Sequence, residues 1–489
     1  MPQLEWSKLL STKRERKTTR LPGEEYVVRN EFEADYDRIV GSSSIRRLQD
    51  KAQVFPLQQN DVARSRLTHS IEVSALARSL GKSVGKALEE QKIFTAEQVD
   101  ELAAILQVAG LIHDLGNPPF GHYGETVIRN WFTKMFSENP LLQTPDIILS
   151  EQEQNDFRYF DGNVQNLRIV SKLQVQNDTY GANFTYATLG AIIKYPWPSN
   201  NRWNDKAKFG YFKSEETQVK DIRETLGLPE RVRHPATYLL EAADDIIYLC
   251  DDIEDGVKKG YINWDNEYKK IKDALPLHAN DELKKLFESI DHKYVDPRME
   301  PKEQITARVR NFRNIVQSFF FKYAVKSFLD SYDVIMSGEP HPELELLDGY
   351  KNLVKQLKRV TMENCFNCEE VLTLELVGDK TISTLLDIFV PTLLTNTGEN
   401  LMDTTKYPGK LFKRISPNFV YRILNSHMTP EEIEKELPKR QENLERFMAD
   451  QINSLSPYDR IHLVTDLISG MTDSYAVNLY QVLTGMKHP

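Results

Sequence analysis

Apolar side chains recur along this chain at helical rather than strand spacing. Leu102, Ile105, Leu106, Ala109 and Ile112 follow an i, i+3, i+4, i+7, i+10 pattern and run into Gly116, Pro118 and Pro119, which predicts an amphipathic helix with a firm stop. Leu444, Phe447, Met448, Ile452 and Leu455 repeat the pattern between Pro438 and Pro457 and predict a second helix packed as core. Runs that alternate apolar and polar residues are short and few, so the expected class is mainly α. Residues 159–190, where Phe, Tyr, Val and Thr stand between Asn and Gly, are expected to hold at most a small β element. Loops are expected around 137–156, 196–210, 338–342 and 395–409, where Pro, Gly, Asn and Gln gather. None resembles a long flexible linker, and there is no internal repeat. One helical body is expected, with a C-terminal half beginning near residue 260.

Composition narrows the function classes. With 40% hydrophobic and 27% charged residues among 489, the chain reads as globular rather than disordered. Its 72 acidic against 62 basic residues give a net charge of −10, which argues against a surface built throughout for nucleic acid. A local basic patch stays open, because Lys8, Lys13, Arg14, Arg16, Lys17 and Arg20 lie close together and cations mix with aromatic rings over 194–213. Three cysteines exclude a disulfide framework and fit a reducing compartment. The lone pair Cys365 and Cys368 is a weak zinc signal. No apolar run approaches the ~20 residues of a membrane span, and the N-terminus lacks the apolar stretch of a signal peptide. A cytoplasmic protein without membrane contact is expected.

Two places carry candidate chemistry. His113 and Asp114 close the first predicted helix, with His122 nine residues on from His113 and Glu125 three further. The helical period turns His113 inward, and an inward carboxylate beside it needs a partner. The second place is Leu239–Asp255, where seven of seventeen residues are acidic. On a helix, Leu239, Ala243, Ile246, Leu249, Cys250 and Ile253 share one face and Asp244, Tyr248 and Asp252 another. A solvated acidic face and a functional one both fit, with Tyr248 an odd choice for the former. A His-Asp pair with one more histidine and a helical aspartate offers mixed N and O ligation, suited to Mn²⁺, Fe²⁺, Co²⁺ or Zn²⁺.

The words around these residues resemble a known family. His69, His113-Asp114 and Asp244 match the H…HD…D signature of HD-domain metal phosphohydrolases. Asp37–Ser42, Arg46-Arg47-Leu48, Gln53-Val54-Phe55, Arg64–Val73 and His113–Glu125 resemble the deoxyguanosine triphosphate triphosphohydrolases (dGTPases). So do Phe160–Gln165, Glu241–Tyr248 and Ile468–Ala476. The match departs at Ala52, Ser65 and Asp161, where that family favours Thr, Thr and Glu.

The resemblance implies an HD-type helical core over 37–260, a basic N-terminal segment over 1–36 and a helical C-terminal region over 261–489. It implies hydrolysis of dGTP to deoxyguanosine and tripolyphosphate by attack at the α-phosphate. A broader deoxynucleotide substrate range, or a regulatory protein responsive to single-stranded DNA, is the alternative. His69, His113, Asp114 and Asp244 are the expected ligands of one divalent cation, Mn²⁺ or Mg²⁺ first, with Co²⁺, Fe²⁺ or Zn²⁺ also fitting. His122 and Glu125 are the expected proton-transfer pair, serving either attack or departure. Arg46, Arg66, Lys194 and Lys208 are expected at the phosphates, with Tyr195 and Asn163 beside them. Tyr248 is expected against the deoxyribose, Asp252 or Gln53 at its 3′-hydroxyl and Glu375 at the guanine edge. A homo-oligomer, hexameric as in related proteins, is also expected.

Overall fold

A computed structural model describes residues 4–16, 29–55, 57, 64–138, 147–174, 181–203, 208–425, 432, 435 and 444–487. Among them the regular structure is helical, with three isolated β-bridges, Arg14 with Thr185, Ala52 with Ser65 and Pro198 with Tyr211. The ten helices that frame the site are α1 (Glu31–Val40), α2 (Arg66–Glu90), α3 (Ala96–Ile112), α4 (Gly121–Glu138) and α5 (Pro235–Lys259), then α6 (Pro301–Asp330), α7 (Lys351–Thr361), α8 (Glu369–Thr395), α9 (Pro457–Ser469) and α10 (Asp473–Leu483).

Local sequence sets their ends. Ser65 caps α2 by accepting from the Thr68 amide, and Thr95 and Gln98 form a reciprocal capping box on α3. Helix α3 departs from the amphipathic expectation. Leu102, Ile105, Leu106, Ala109 and Ile112 are buried, but so are Ala103, Ala104, Val108 and Leu111, so it is enclosed on nearly every side. The second predicted helix forms as Leu444–Ser454, with Ile452 and Leu455 buried while Phe447 and Met448 are half-buried.

Residues 159–190 carry no strand where they are described. They form helix Gly162–Arg168, a wide turn Ile169–Leu173 and helix Tyr186–Ile192, because their apolar residues are buried on all faces and alternation never had a polar side to show. Residues 175–180 lie outside the described residues, as do 139–146 and 204–207 within the expected loops. The segment 395–409 is two short helices, Gly398–Met402 and Tyr407–Phe412, rather than a loop.

The central seam is the antiparallel pair α2 and α3. Gly85 lies against Val99, Gly81 against Ala103 and Leu106, and Gly110 against Ser74. A Cβ on Gly110 stands 2.7 Å from the Ser74 Cα, so only a residue without a side chain allows this approach. Extending the register by about a turn brings His69 of α2 opposite the end of α3.

Helix α5 runs beside α2 and α6. Four of its acidic residues, Asp251, Asp252, Glu254 and Asp255, are buried. Arg64 meets three of them, with Nε 3.2 Å from Asp251, Nη2 3.1 Å from Glu254 and Nη1 2.6 Å from Asp255. Arg313 of α6 lies 2.6 Å from Glu254 and Gln317 donates to Asp251 at 3.0 Å. Asp251, Glu254 and Asp255 thus form an internal ion network that fixes α5 rather than a solvated face.

Part of the N-terminal basic run is likewise committed within the chain. Arg14 is buried against Asp35 and Glu31, Lys13 lies 2.8 Å from Asp221 and Lys8 2.8 Å from Glu5. Lys17 and Arg20 lie outside the described residues. Cys365 and Cys368 join no group of three or more metal-ligating side chains among the described residues.

Two outcomes follow. Gly110→Ala forces the seam apart and costs about 1–3 kcal/mol in chemical denaturation, whereas Gly41→Ala, with nothing within 4 Å of its added carbon, stays within about 0.5 kcal/mol. The second concerns His234, the buried cap of α5. Its Nδ1 accepts from the Ala236 amide and its Nε2–H donates to the Leu9 carbonyl at 3.0 Å, so the ring is held neutral. Burial brings its pKa down to about 4 despite the Leu9 bond. The unfolded ring takes its proton near pH ~6.5, so stability falls by up to ~1.4 kcal/mol per unit as pH drops from there toward 4. His234→Asn, which keeps a cap, lowers stability overall and flattens that slope in urea titrations at pH 7 and 5.

Candidate active site

The site begins where α3 stops. His113 caps the helix, and its Nδ1–H donates to the Gly110 carbonyl at 2.8 Å. That bond leaves Nε2 facing the carboxylates, 3.5 Å from Asp244 Oδ1 and 3.7 Å from Asp114 Oδ2. His69 is buried on α2, with Nε2 3.1 Å from the same Asp244 oxygen, and its ring centroid is 5.3 Å from that of His113. Asp244 projects from α5 with 33% of its side chain exposed. Asp114 is held on both oxygens, at 2.5 Å by Arg66 Nη1 and at 2.6 Å by the Asn117 side-chain amide.

Donor atoms of His69, His113 and Asp114 all lie within 4.8 Å of one another. Among the described residues, buried His113 Nε2 has no hydrogen-bond partner. Burial alone lowers the His113 pKa, but Asp114 and Asp244 outweigh it and push it up to about 9. Burial likewise raises Asp114 and Asp244, and the neighbouring cations (Arg66 and the imidazoles for Asp114, His113 and His69 for Asp244) bring both below the ordinary carboxylate range. The cluster therefore demands positive charge at its centre. Two imidazole nitrogens and two carboxylates, one ring fixed by a backbone carbonyl, are a donor set that a divalent cation fits.

After the cluster the chain makes a tight turn through Pro118 and Pro119. Phe120 (φ 62°) and Gly121 (φ 58°) are left-handed, and α4 then presents His122, 78% exposed, over Glu125, which is buried. His122 Nδ1 lies 3.4 Å from Glu125. Glu125 also accepts from the Gly162 amide at 2.7 Å and from Arg129 at 3.0 Å. The hydrogen bond and charge of Glu125 raise the His122 pKa.

These groups open on a cavity of about 620 Å³. Arg66, His113, Asp114, His122 and Asp244 line it, together with Gln53, Asn163, Lys194, Tyr195, Lys208, Tyr248 and Asp252. His69 and Glu125 stand behind that surface. Two residues expected here lie elsewhere. Arg46 is exposed and donates to the Gly41 carbonyl, because its helix Ser43–Arg47 turns that side to solvent. Glu375 is half-buried on α8, outside the lining.

Conversely, the cavity contains Arg233, Lys358 and Phe366, which no site motif marked, and Trp197 and Trp203 from the mixed cationic and aromatic stretch 194–213. Lys358, Met362 and Phe366 line it at i, i+4, i+8 spacing, a signal that helical periodicity holds. Pro342, Glu345 and Leu347 also line it, so its wall is drawn from both sides of residue 260.

The charges on the lining are paired in advance. Lys194 lies 3.1 Å and Arg233 2.9 Å from Glu241, Lys208 contacts Asp161, and Lys358 sits 5.5 Å over the Tyr248 ring. Burial, with Asp255 and Asp244 nearby, raises the Asp252 pKa to about 8, so its carboxyl keeps a proton to higher pH than an ordinary aspartate.

Comparison with known proteins agrees with this geometry. The HD-domain family profile matches residues 66–142, which carry His69, His113, Asp114, His122 and Glu125. A deoxyguanosinetriphosphate triphosphohydrolase-like protein of Listeria innocua is 38% identical over 99% of this chain and 100% of its own length. The protein of the same description in Listeria monocytogenes is 37% identical over the same shares. A deoxyguanosinetriphosphate triphosphohydrolase of Yersinia pestis is 32% identical over 94% of this chain and 95% of its own. Similarity of this extent, together with a His-His-Asp group open to a cavity, places the chain in the deoxyguanosinetriphosphate triphosphohydrolase family of HD-domain phosphohydrolases, as a hydrolase dependent on a divalent metal.

Proposed function

We propose that this enzyme hydrolyses dGTP to deoxyguanosine and tripolyphosphate, with attack at the α-phosphate. The observation that carries the reading is the meeting of the His-Asp cluster with Arg66, Lys194, Lys208, Arg233 and Lys358 around one cavity; the names of the relatives supply the base. His69, His113, Asp114 and Asp244 would hold one cation, Mn²⁺ or Mg²⁺, which supplies Lewis-acid stabilisation of charge developing on the α-phosphoryl oxygens.

The chain's own residues do the rest. A triphosphate brings roughly four negative charges, which Arg66, Lys194, Lys208 and Arg233 meet by exchanging carboxylate partners for phosphate oxygens and Lys358 meets from over the Tyr248 ring. Asn163, bonded to Asp161 at 2.8 Å, stands beside Lys208 and Tyr195 on that side. Tyr248 packs against the sugar and excludes a 2′-hydroxyl, while Asp252 and Gln53 meet the 3′-hydroxyl. His122 moves a proton at the reacting oxygens, with Glu125 fixing its ring and holding the proton on it to higher pH. A homo-oligomer completes the reading, supported by the exposed Leu372 and Leu376 on α8, and the cytoplasm is the expected compartment.

Incubation with each deoxynucleoside triphosphate and Mn²⁺ or Mg²⁺, followed by ion exchange, tests the reaction. Tripolyphosphate from dGTP is expected; pyrophosphate with dGMP contradicts the cleavage site. His113→Ala abolishes both turnover and bound metal while the helical circular dichroism stays unchanged. Glu125→Gln removes the charge that raises His122, so the limb of the kcat–pH profile that reports this histidine moves to lower pH. An unmoved profile removes His122 from the proton transfer.

A further inference from the structure

The stretch 468–476 lies beyond the lining of the cavity, yet its two ends are bonded to the segments that carry the site. Lys51 is buried, and its Nζ donates to the Asn117 carbonyl at 2.6 Å and to the Ser469 carbonyl at 2.7 Å. Asp473 is buried, and its two oxygens accept separately from the Phe120 amide at 3.0 Å and the Ala52 amide at 2.9 Å. The Lys51 carbonyl accepts from the Arg66 amide at 3.0 Å, at the start of α2. One short segment, 51–52, is thus joined at once to the first turn of α2, to the turn after His113 and to the break between α9 and α10.

We propose that Lys51 and Asp473 act together as a positioning clasp, through which the C-terminal helices lock the turn 113–121 and so place Asp114 and His122. Asn117 holds Asp114 Oδ1 by its side chain, and Lys51 holds the backbone of that same Asn117. Phe120 is a non-glycine residue in the left-handed region, a conformation that persists only when surroundings impose it. Asp473 supplies that constraint by a charge-assisted bond to its amide. The Phe120 ring is pinned from above by Gly378 of α8, where an added Cβ would fall 2.8 Å from it. His122 follows two residues later, so its direction is set by the backbone that Asp473 fixes. Lys51 and Asp473 touch neither cavity nor cluster; they act through Asn117 and Phe120.

The clasp rests on the reading that Asp114 and His122 serve the reaction, so its test carries a measurement independent of turnover. Lys51→Met, Asp473→Ala and Asp473→Asn are compared with Ser474→Ala, which removes only the neighbouring bond to Asp50. Steady-state kinetics with dGTP and Mn²⁺ are paired with hydrogen exchange of the amides in 115–121. Lys51→Met and Asp473→Ala lower kcat about 100-fold with KM within about twofold, the scale expected of a displaced catalytic group. Their exchange rises in 115–121 and not in α2 or α3.

Asp473→Asn keeps one acceptor and loses about tenfold, and it decides the matter with Lys51→Met should the alanine variant not fold. The double variant Lys51→Met/Asp473→Ala falls no more than about threefold below the worse single, because both act on one turn. Ser474→Ala keeps wild-type kcat and exchange. Folded variants that retain kcat, or lose it without faster exchange in 115–121, overturn the clasp. If the wild-type enzyme leaves dGTP intact, the proposed reaction fails and the exchange pattern alone judges the clasp, with unchanged exchange refuting it.

Discussion

Two carboxylates far apart in the chain, Asp114 in the turn after α3 and Asp244 on α5, face the same imidazole nitrogen in a largely buried spot. Such a meeting is unfavourable unless positive charge is supplied there. Arg66 answers for one oxygen of Asp114, and the remaining demand sits between His69, His113 and the two acids. Everything around the cluster serves to keep those groups from relaxing apart. The glycine-lined seam of α2 and α3 sets His69 opposite His113, and the Gly110 carbonyl orients the second ring.

The chain uses charge in two distinct ways within a few residues. Arg64 and Arg66 are neighbours in sequence, yet Arg64 neutralises Asp251, Glu254 and Asp255 inside α5 while Arg66 turns to the cluster. The first network is closed: its acids have fixed cations and it positions a helix. The second is open, since its acids and the cations beside them face the cavity. A fold that leaves one polar system incomplete while closing the other is marking where its chemistry happens.

Much of the site was legible in the sequence because it is written in local spacing. His113-Asp114 stood out at the end of an apolar run stopped by two prolines, and Asp244, Tyr248 and Asp252 share a helical face that does line the cavity. What sequence alone missed depends on pairing across long separations. Asp251, Glu254 and Asp255 read as solvated or functional because nothing in their own helix announces Arg64 or Arg313. Lys358 and Arg233 carry no motif; Lys358 reaches the cavity because α7 packs on α5, and Arg233 because Glu241 and the Pro342 carbonyl hold it just ahead of α5. Arg46 and Glu375 show the converse, since a matching word fixes residue type but not the direction in which its helix faces.

The central claim is that His69, His113, Asp114 and Asp244 share one cation. Crystals of the intact protein grown with Mn²⁺ and measured for anomalous scattering test it most directly. One peak per chain, within about 2.0–2.2 Å of a nitrogen from each histidine and an oxygen from each aspartate, is the predicted result. A fully occupied peak elsewhere, or four side chains that bind nothing at saturating Mn²⁺, would contradict it.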